Sequence, residues 1–152
     1  MNVQWEWGTY STDTIPETAA LKGVLTVLEQ VERDYRTDKS RYYVAGYSMG
    51  GYATWDLLAR HPEVFAAAIP ICGGADPAKA ANMVNIPIHT FHGDSDPIVP
   101  VSGTRAMVAA LEAAGSTLIT YTEVEGLGHA GWDDVLSDLT NLRWLFAQKK
   151  GQ

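Results

Sequence analysis

One cysteine in 152 residues, Cys72, has no partner for an intrachain disulfide, so the thiol content ties the chain to no oxidising compartment. Basic residues are scarce as well. Eleven Lys and Arg against 18 Asp and Glu leave a net charge of −7, which argues against nucleic acid and anionic membranes as partners, because both need basic patches. No apolar run approaches the ~20 residues that cross a bilayer. The N-terminus lacks the basic, apolar and small-residue succession of a secretory signal, so the cytoplasm is the default expectation. Neither G-x-G-x-x-G nor G-x-x-x-x-G-K-[ST] occurs, so no phosphate-cradling loop is expected. There is no internal repeat, low-complexity tract or linker. What is present, at 46% hydrophobic and 19% charged residues, is the composition of one globular domain, which we expect over residues 1–152.

Periodicity predicts alternating elements. Residues 2–10 alternate loosely, as a short strand or ordered loop whose Trp5 and Trp7 pack or line a cleft. Pro16 suits a first helical turn, and Ala19, Leu21, Val24, Leu25, Leu28, Val31 and Tyr35 recur at helical spacing. Residues 41–45 read as a strand. Residues 52–60 read as a helix, ended by His61-Pro62 because a residue before proline avoids helical dihedrals. Residues 64–71 are apolar on both faces, as in a strand covered on each side; Cys72 follows them and reads as a buried thiol. A short helix is expected over 78–84, a strand over 86–93, a helix from Val101 or Ser102 closed by Gly115, and a period-two strand over 117–124. Residues 132–146 read as a final helix with Val135, Leu139, Leu142, Leu145 and Phe146 inward. Such alternation predicts an α/β fold, a mainly parallel sheet with helices on both faces.

In a sheet of this kind, function gathers beyond the C-terminal ends of the strands. There, Tyr42-Tyr43-Val44-Ala45-Gly46-Tyr47-Ser48-Met49-Gly50-Gly51 runs from a strand through G-x-S-x-G into a helix, the context a nucleophilic serine requires. Gly46 and Gly50 are expected to relieve crowding around the serine backbone. The Met49 amide, at the helix N-terminus, can point at a developing oxyanion. A serine hydroxyl is a poor nucleophile until an imidazole takes its proton, and that imidazole needs a carboxylate to orient it. The loop after the next strand but one offers Asp94 and Asp96; we select Asp96, since Asp94 lies only two residues past His92 and serves the turn. His129 is the only histidine after that acid and sits in a glycine-flanked loop. The order Ser48, Asp96, His129 is the one an α/β-hydrolase uses. His61 reads as a helix-end residue and Asp76 as a turn or cap. A metal site from His89, His92, Asp94 and Asp96 is disfavoured, because the two histidines lie on opposite faces of a strand.

These residues carry a resemblance. Residues 38–51, Trp55, His61-Pro62-Glu63-Val64-Phe65-Ala66-Ala67, the loop 92–100 and Gly128-His129-Ala130-Gly131-Trp132 are similar to the α/β-hydrolase superfamily. Within it, they resemble the esterase and peptidase-like group related to polyhydroxybutyrate depolymerases, feruloyl esterases and dienelactone hydrolases. The match covers nearly the whole chain. It implies Ser48 as nucleophile, Asp96 as acid, His129 as base and Met49 as a backbone oxyanion donor. The implied reaction is hydrolysis of a small-molecule ester, short-chain or carbohydrate-linked, through an acyl-enzyme and with no cofactor or metal.

The group normally has strands and a loop ahead of the first helix seen here, and that loop supplies the second oxyanion amide. Only residues 2–10 precede the helix in this sequence, so the expected fold is a reduced α/β-hydrolase, N-terminally short, with the strand before Ser48 near a sheet edge. An uncovered edge invites pairing, and a homo-oligomer, dimer or larger, is expected; light scattering showing a monomer at micromolar concentration would refute it. Losing an oxyanion donor typically costs ~10²–10³ in turnover. Weak activity, or a second donor from 5–10 or a neighbouring chain, is therefore expected. Two alternatives compete with the esterase: a catalytically weak or dead fragment serving as an oligomerising or binding domain, and a peptidase of the same fold. The complete Ser48, Asp96 and His129 set speaks against an idle fragment. The peptidase is disfavoured because a leaving amine demands better transition-state stabilisation than a reduced site gives.

Overall fold

Four short strands lie side by side in chain order, all parallel: β1 (Tyr43–Tyr47), β2 (Ala67–Ile71), β3 (Ile88–Gly93) and β4 (Ile119–Val124). The computed structural model describes residues 16–151, so the strand or loop expected at 2–10, with Trp5 and Trp7, lies outside the described residues. Helix α1 (Ala19–Asp34) precedes β1, α2 (Met49–Arg60) joins β1 to β2, and α3 (Val101–Ala113) joins β3 to β4. A 3-10 helix, Pro77–Met83, interrupts the β2–β3 connection, and α4 (Asp133–Ser137) and α5 (Leu139–Ala147) follow β4. This is the α/β architecture expected, with β1 at one edge of the described sheet.

Side-chain alternation along the strands divides the interior into two cores. Val44, Ala68, Ile88 and Ile119 point to one side, where they meet Leu21 of α1, Trp55 and Leu58 of α2, Met83, and Met107 and Leu111 of α3. Ala67, Ile69, Ile71 and Phe91 point to the other, against Val99, Trp132 and Leu145. All five residues of β2 are buried because both its faces are covered. Each large side chain so enclosed stabilises the fold by roughly 1.5–3 kcal/mol.

Local chemistry sets the helix limits. Thr18 caps α1 by accepting the Leu21 N–H at 3.3 Å. The helix expected over 132–146 is broken in two. Asp138 takes an extended conformation (φ −67°, ψ 118°) and its carboxylate accepts the Thr140 N–H at 2.7 Å, which ends α4 and starts α5. Two of the five side chains expected inward there are exposed: Leu139 at 62% and Phe146 at 55%. Phe146 instead packs edge-on against Tyr43, with ring centroids 5.5 Å apart. The apolar stripe of α1 is likewise only part buried. Leu21 and Leu25 join the core while Val24, Val31 and Tyr35 are exposed.

Candidate active site

The strand β1 ends in a backbone that only a tight turn can accept. Ser48 has φ 57° and ψ −115°, a left-handed conformation rare for a residue with a side chain, and α2 begins at the next residue. Its N–H donates to the Ile71 carbonyl at 2.9 Å, tying the turn to the end of β2. Gly46 is required as expected: a Cβ there would stand 2.2 Å from the Gly50 carbonyl oxygen. The expectation for Gly50 is corrected, since a Cβ on it would meet nothing within 4 Å; what crowds Gly46 is the Gly50 main chain. Gly51 is obligatory as well, since a Cβ on it would lie 2.2 Å from the Ile71 carbonyl oxygen. Met49, as the first residue of α2, presents its N–H among the unpaired amides of a 12-residue helix.

Three loops converge on Ser48. Its Oγ lies 2.8 Å from His129 Nε2, and His129 Nδ1 lies 2.7 Å from Asp96 Oδ2. Since the carboxylate can only accept, Nδ1 carries the proton and Nε2 is free to accept from the serine hydroxyl. Asp96 Oδ1 accepts the N–H groups of Ile98 and Val99, both at 2.8 Å. The carboxylate has no solvent exposure. Burial pushes its pKa up, but the hydrogen bonds from His129, Val99 and Ile98 outweigh burial and hold it below the ordinary carboxylate range. Asp94 does not approach the imidazole. Its Oδ1 accepts from the Gly126 N–H at 2.8 Å and the Ser95 hydroxyl at 2.9 Å, so it braces the turn and the start of the loop that carries His129.

Two buried neighbours complete the surroundings of Asp96. The His92 imidazole, wholly buried on β3, places Nε2 3.1 Å from the Val99 carbonyl and 3.5 Å from Asp96 Oδ2. Its Nδ1 lies 2.6 Å from Thr104 Oγ1. Burial lowers the His92 pKa, opposed by the Val99 carbonyl and the Asp96 charge. Cys72 is buried as expected, but beside the site: it has φ 49°, and its thiol sits against Asp96. Burial first, then the Asp96 charge, push that thiol up to about 12. The contact of Cys72 with Asp96 joins separate strand ends and has no spacing signal, whereas His92 and Asp96 stand four residues apart in one strand and its following loop.

The remaining candidates lie elsewhere. His61 caps the C-terminus of α2 and pairs with Glu17 at 2.8 Å, and Asp76 caps the 3-10 helix through the Ala78 N–H at 3.0 Å. His89 turns to Thr122 Oγ1, 3.0 Å away, and stacks near Phe91 and Trp144, so it shares no site with His92. Cys72, Asp96 and His129 hold ligand atoms within 4.8 Å of one another, but the imidazole and carboxylate are already committed to each other. An arrangement of hydroxyl, imidazole and carboxylate in line can take a proton from the hydroxyl, hold it as imidazolium and return it to a leaving group.

Known proteins share this framework. The model of the Dienelactone hydrolase family matches residues 9–130. The chain is similar to "Probable feruloyl esterase C" of Aspergillus oryzae, 28% identical over 102 residues, which are 67% of this chain and 38% of that protein. Poly(3-hydroxyalkanoate) depolymerase C of Paucimonas lemoignei is 40% identical over 55 residues, 36% of this chain and 13% of that one. Among solved structures, a thermostable esterase superposes with a TM-score of 0.84 at 38% identity, covering 88% of this chain and 37% of its own. The chain thus spans about two fifths of the length of the feruloyl esterase and of the thermostable esterase. The strand order, the turn at Ser48 and a family match over residues 9–130 lead to one assignment: this chain belongs to the dienelactone hydrolase family.

Proposed function

We propose that the chain is a serine carboxylesterase domain that hydrolyses short-chain or carbohydrate-linked esters through an acyl-enzyme. The observation that carries this reading is the unbroken hydrogen-bonded line Ser48 Oγ–His129 Nε2 and His129 Nδ1–Asp96 Oδ2, at 2.8 and 2.7 Å. Relatives named as feruloyl esterase and as poly(3-hydroxyalkanoate) depolymerase support the esterase part of this reading.

The steps follow from those atoms. Ser48 Oγ attacks the ester carbonyl carbon while His129 Nε2 takes the hydroxyl proton, and the carbonyl oxygen becomes an oxyanion facing the Met49 N–H. The tetrahedral centre then expels the alcohol, which receives the proton from His129, leaving an acyl group on Ser48. A water molecule repeats the sequence: His129 takes its proton, the acyl–oxygen bond breaks, and Ser48 regains a proton as the carboxylic acid leaves. Asp96 stays ionised throughout and stabilises the imidazolium. The reading includes self-association of the chain, since β1 forms an edge of the described sheet.

The test is hydrolysis of p-nitrophenyl acetate and butyrate by wild type and Ser48→Ala. Turnover by the wild type that falls to background in the variant is expected. Equal rates in two folded proteins would overturn the assignment of Ser48.

A further inference from the structure

We propose that Tyr47 is a positioning residue for His129, tying the loop that carries the imidazole to the strand that carries the nucleophile. The inference rests on the pairing of Ser48 with His129 argued above. Tyr47 is the last residue of β1, immediately before Ser48. Its hydroxyl donates to the main-chain carbonyl of His129, and its ring lies 5.0 Å from the imidazole, tilted by 35°. One side chain therefore holds both the backbone and the ring of the residue proposed as base.

The loop needs such a tie. Two of its residues, Gly126 (φ 71°) and Gly131 (φ 88°), are left-handed glycines, the least restrained backbone a loop can have. Its first half is anchored: the Gly126 N–H donates to Asp94 at 2.8 Å, and the Leu127 carbonyl accepts the Ser95 N–H at 3.2 Å. His129 lies beyond both anchors. The hydrogen bonds at Nδ1 and Nε2 fix the imidazole within its plane, whereas a ring packed beside it limits its tilt. Proton transfer between Ser48 and His129 depends on that tilt, and a displacement of about 1 Å can cost ~10² in rate. Tyr47 is itself 39% exposed, so deleting its hydroxyl removes little from either core.

Tyr47→Phe removes the hydroxyl and keeps the ring; Tyr47→Leu removes both. Three measurements are made on each and on wild type: kcat and KM for p-nitrophenyl acetate, the rate at which a fluorophosphonate labels Ser48, and the low-field proton resonance of His129 Nδ1–H. For Tyr47→Phe we expect kcat and the labelling rate to fall about tenfold, the effect of one net hydrogen bond. KM and the melting temperature should stay at wild-type values, and the resonance should broaden through faster exchange with solvent. Tyr47→Leu should lose more kcat and labelling rate and broaden the resonance further. Wild-type kcat, labelling and a sharp resonance in Tyr47→Phe would overturn the proposal, as would a raised KM at unchanged kcat, which would make Tyr47 a substrate contact. If the wild type hydrolyses no ester yet its resonance still depends on Tyr47, the esterase reading fails and the positioning role stands.

Discussion

Replacing Asp96 by Asn changes one atom and should disable the site through a tautomer. The Asp96 Oδ1 position accepts two amide protons, from Ile98 and Val99, each at 2.8 Å. The asparagine oxygen must occupy it, because an NH2 there would face two donors. The NH2 then falls where Oδ2 stood, 2.7 Å from His129 Nδ1. Two donors cannot share that gap, so the imidazole proton moves to Nε2, where it points at Ser48 Oγ and can no longer accept. Loss of the base in this way is expected to lower kcat/KM by ~10⁴, or about 5 kcal/mol of barrier. Both backbone bonds survive, so the melting temperature should hardly move. The control is Asp94→Asn, which keeps the oxygen that Gly126 and Ser95 use and should cost less than about tenfold. Initial rates on p-nitrophenyl acetate, with thermal melts of all three proteins, decide the matter. An Asp96→Asn enzyme within tenfold of wild type, or inactivation by Asp94→Asn instead, would refute the reasoning.

Further outcomes follow from the same structure. Gly46→Ala places a Cβ 2.2 Å from the Gly50 carbonyl oxygen, and urea unfolding should show a loss of at least ~3 kcal/mol; Gly50→Ala, with open space at that point, should unfold like wild type. Cys72 is wholly buried and its thiol is pushed up to about 12, so Ellman's reagent at pH 8 should find no thiol in the native chain and one after denaturation; rapid native labelling would contradict the burial. Glu123 is held down to about 2 from an ordinary 4.5, first by its hydrogen bonds from Arg105 and then by Tyr121. A depressed carboxyl adds stability that is fully present above the ordinary value and lost as pH falls toward the folded one. Urea midpoints should therefore decline between pH 4.5 and 2 and decline less steeply in Glu123→Gln; parallel curves would refute this. The effect should be modest, since Arg105 is half exposed.

The elements whose identity rests on local pattern were legible from the chain. β2 reads as a doubly covered strand because Val64 to Ile71 is apolar throughout, and all five of its residues are buried. The turn at Ser48 is legible because a positive φ there makes a glycine two residues earlier obligatory. What rests on distant packing was not legible. An N-cap at Asp138 splits the last helix, yet a lone Asp in an amphipathic run carries no such signal. Val24, Val31 and Tyr35 share the period of Leu21 and Leu25, and periodicity alone does not separate the exposed from the buried. Cys72 and Tyr47 reach the site from other strand ends, a meeting that depends on strand order rather than spacing, whereas His92 meets Asp96 within its own strand and following loop.

The close approaches at Gly46 and Gly51 bear on how such a site can evolve. At both, the closest approach is main chain on main chain, which a neighbouring side chain cannot relieve, so most codon changes at these two positions are expected to end in a misfolded chain. Under the proposed assignment, substitutions that the fold tolerates are expected on the rim instead, where Met49 and Ile98 stand 59% and 57% exposed, beside Ser48 and in the loop of Asp96. A mutational library restricted to those two codons would sample new specificities while nearly every member still folds; one spread evenly over the turn would spend most of its diversity on inactive protein.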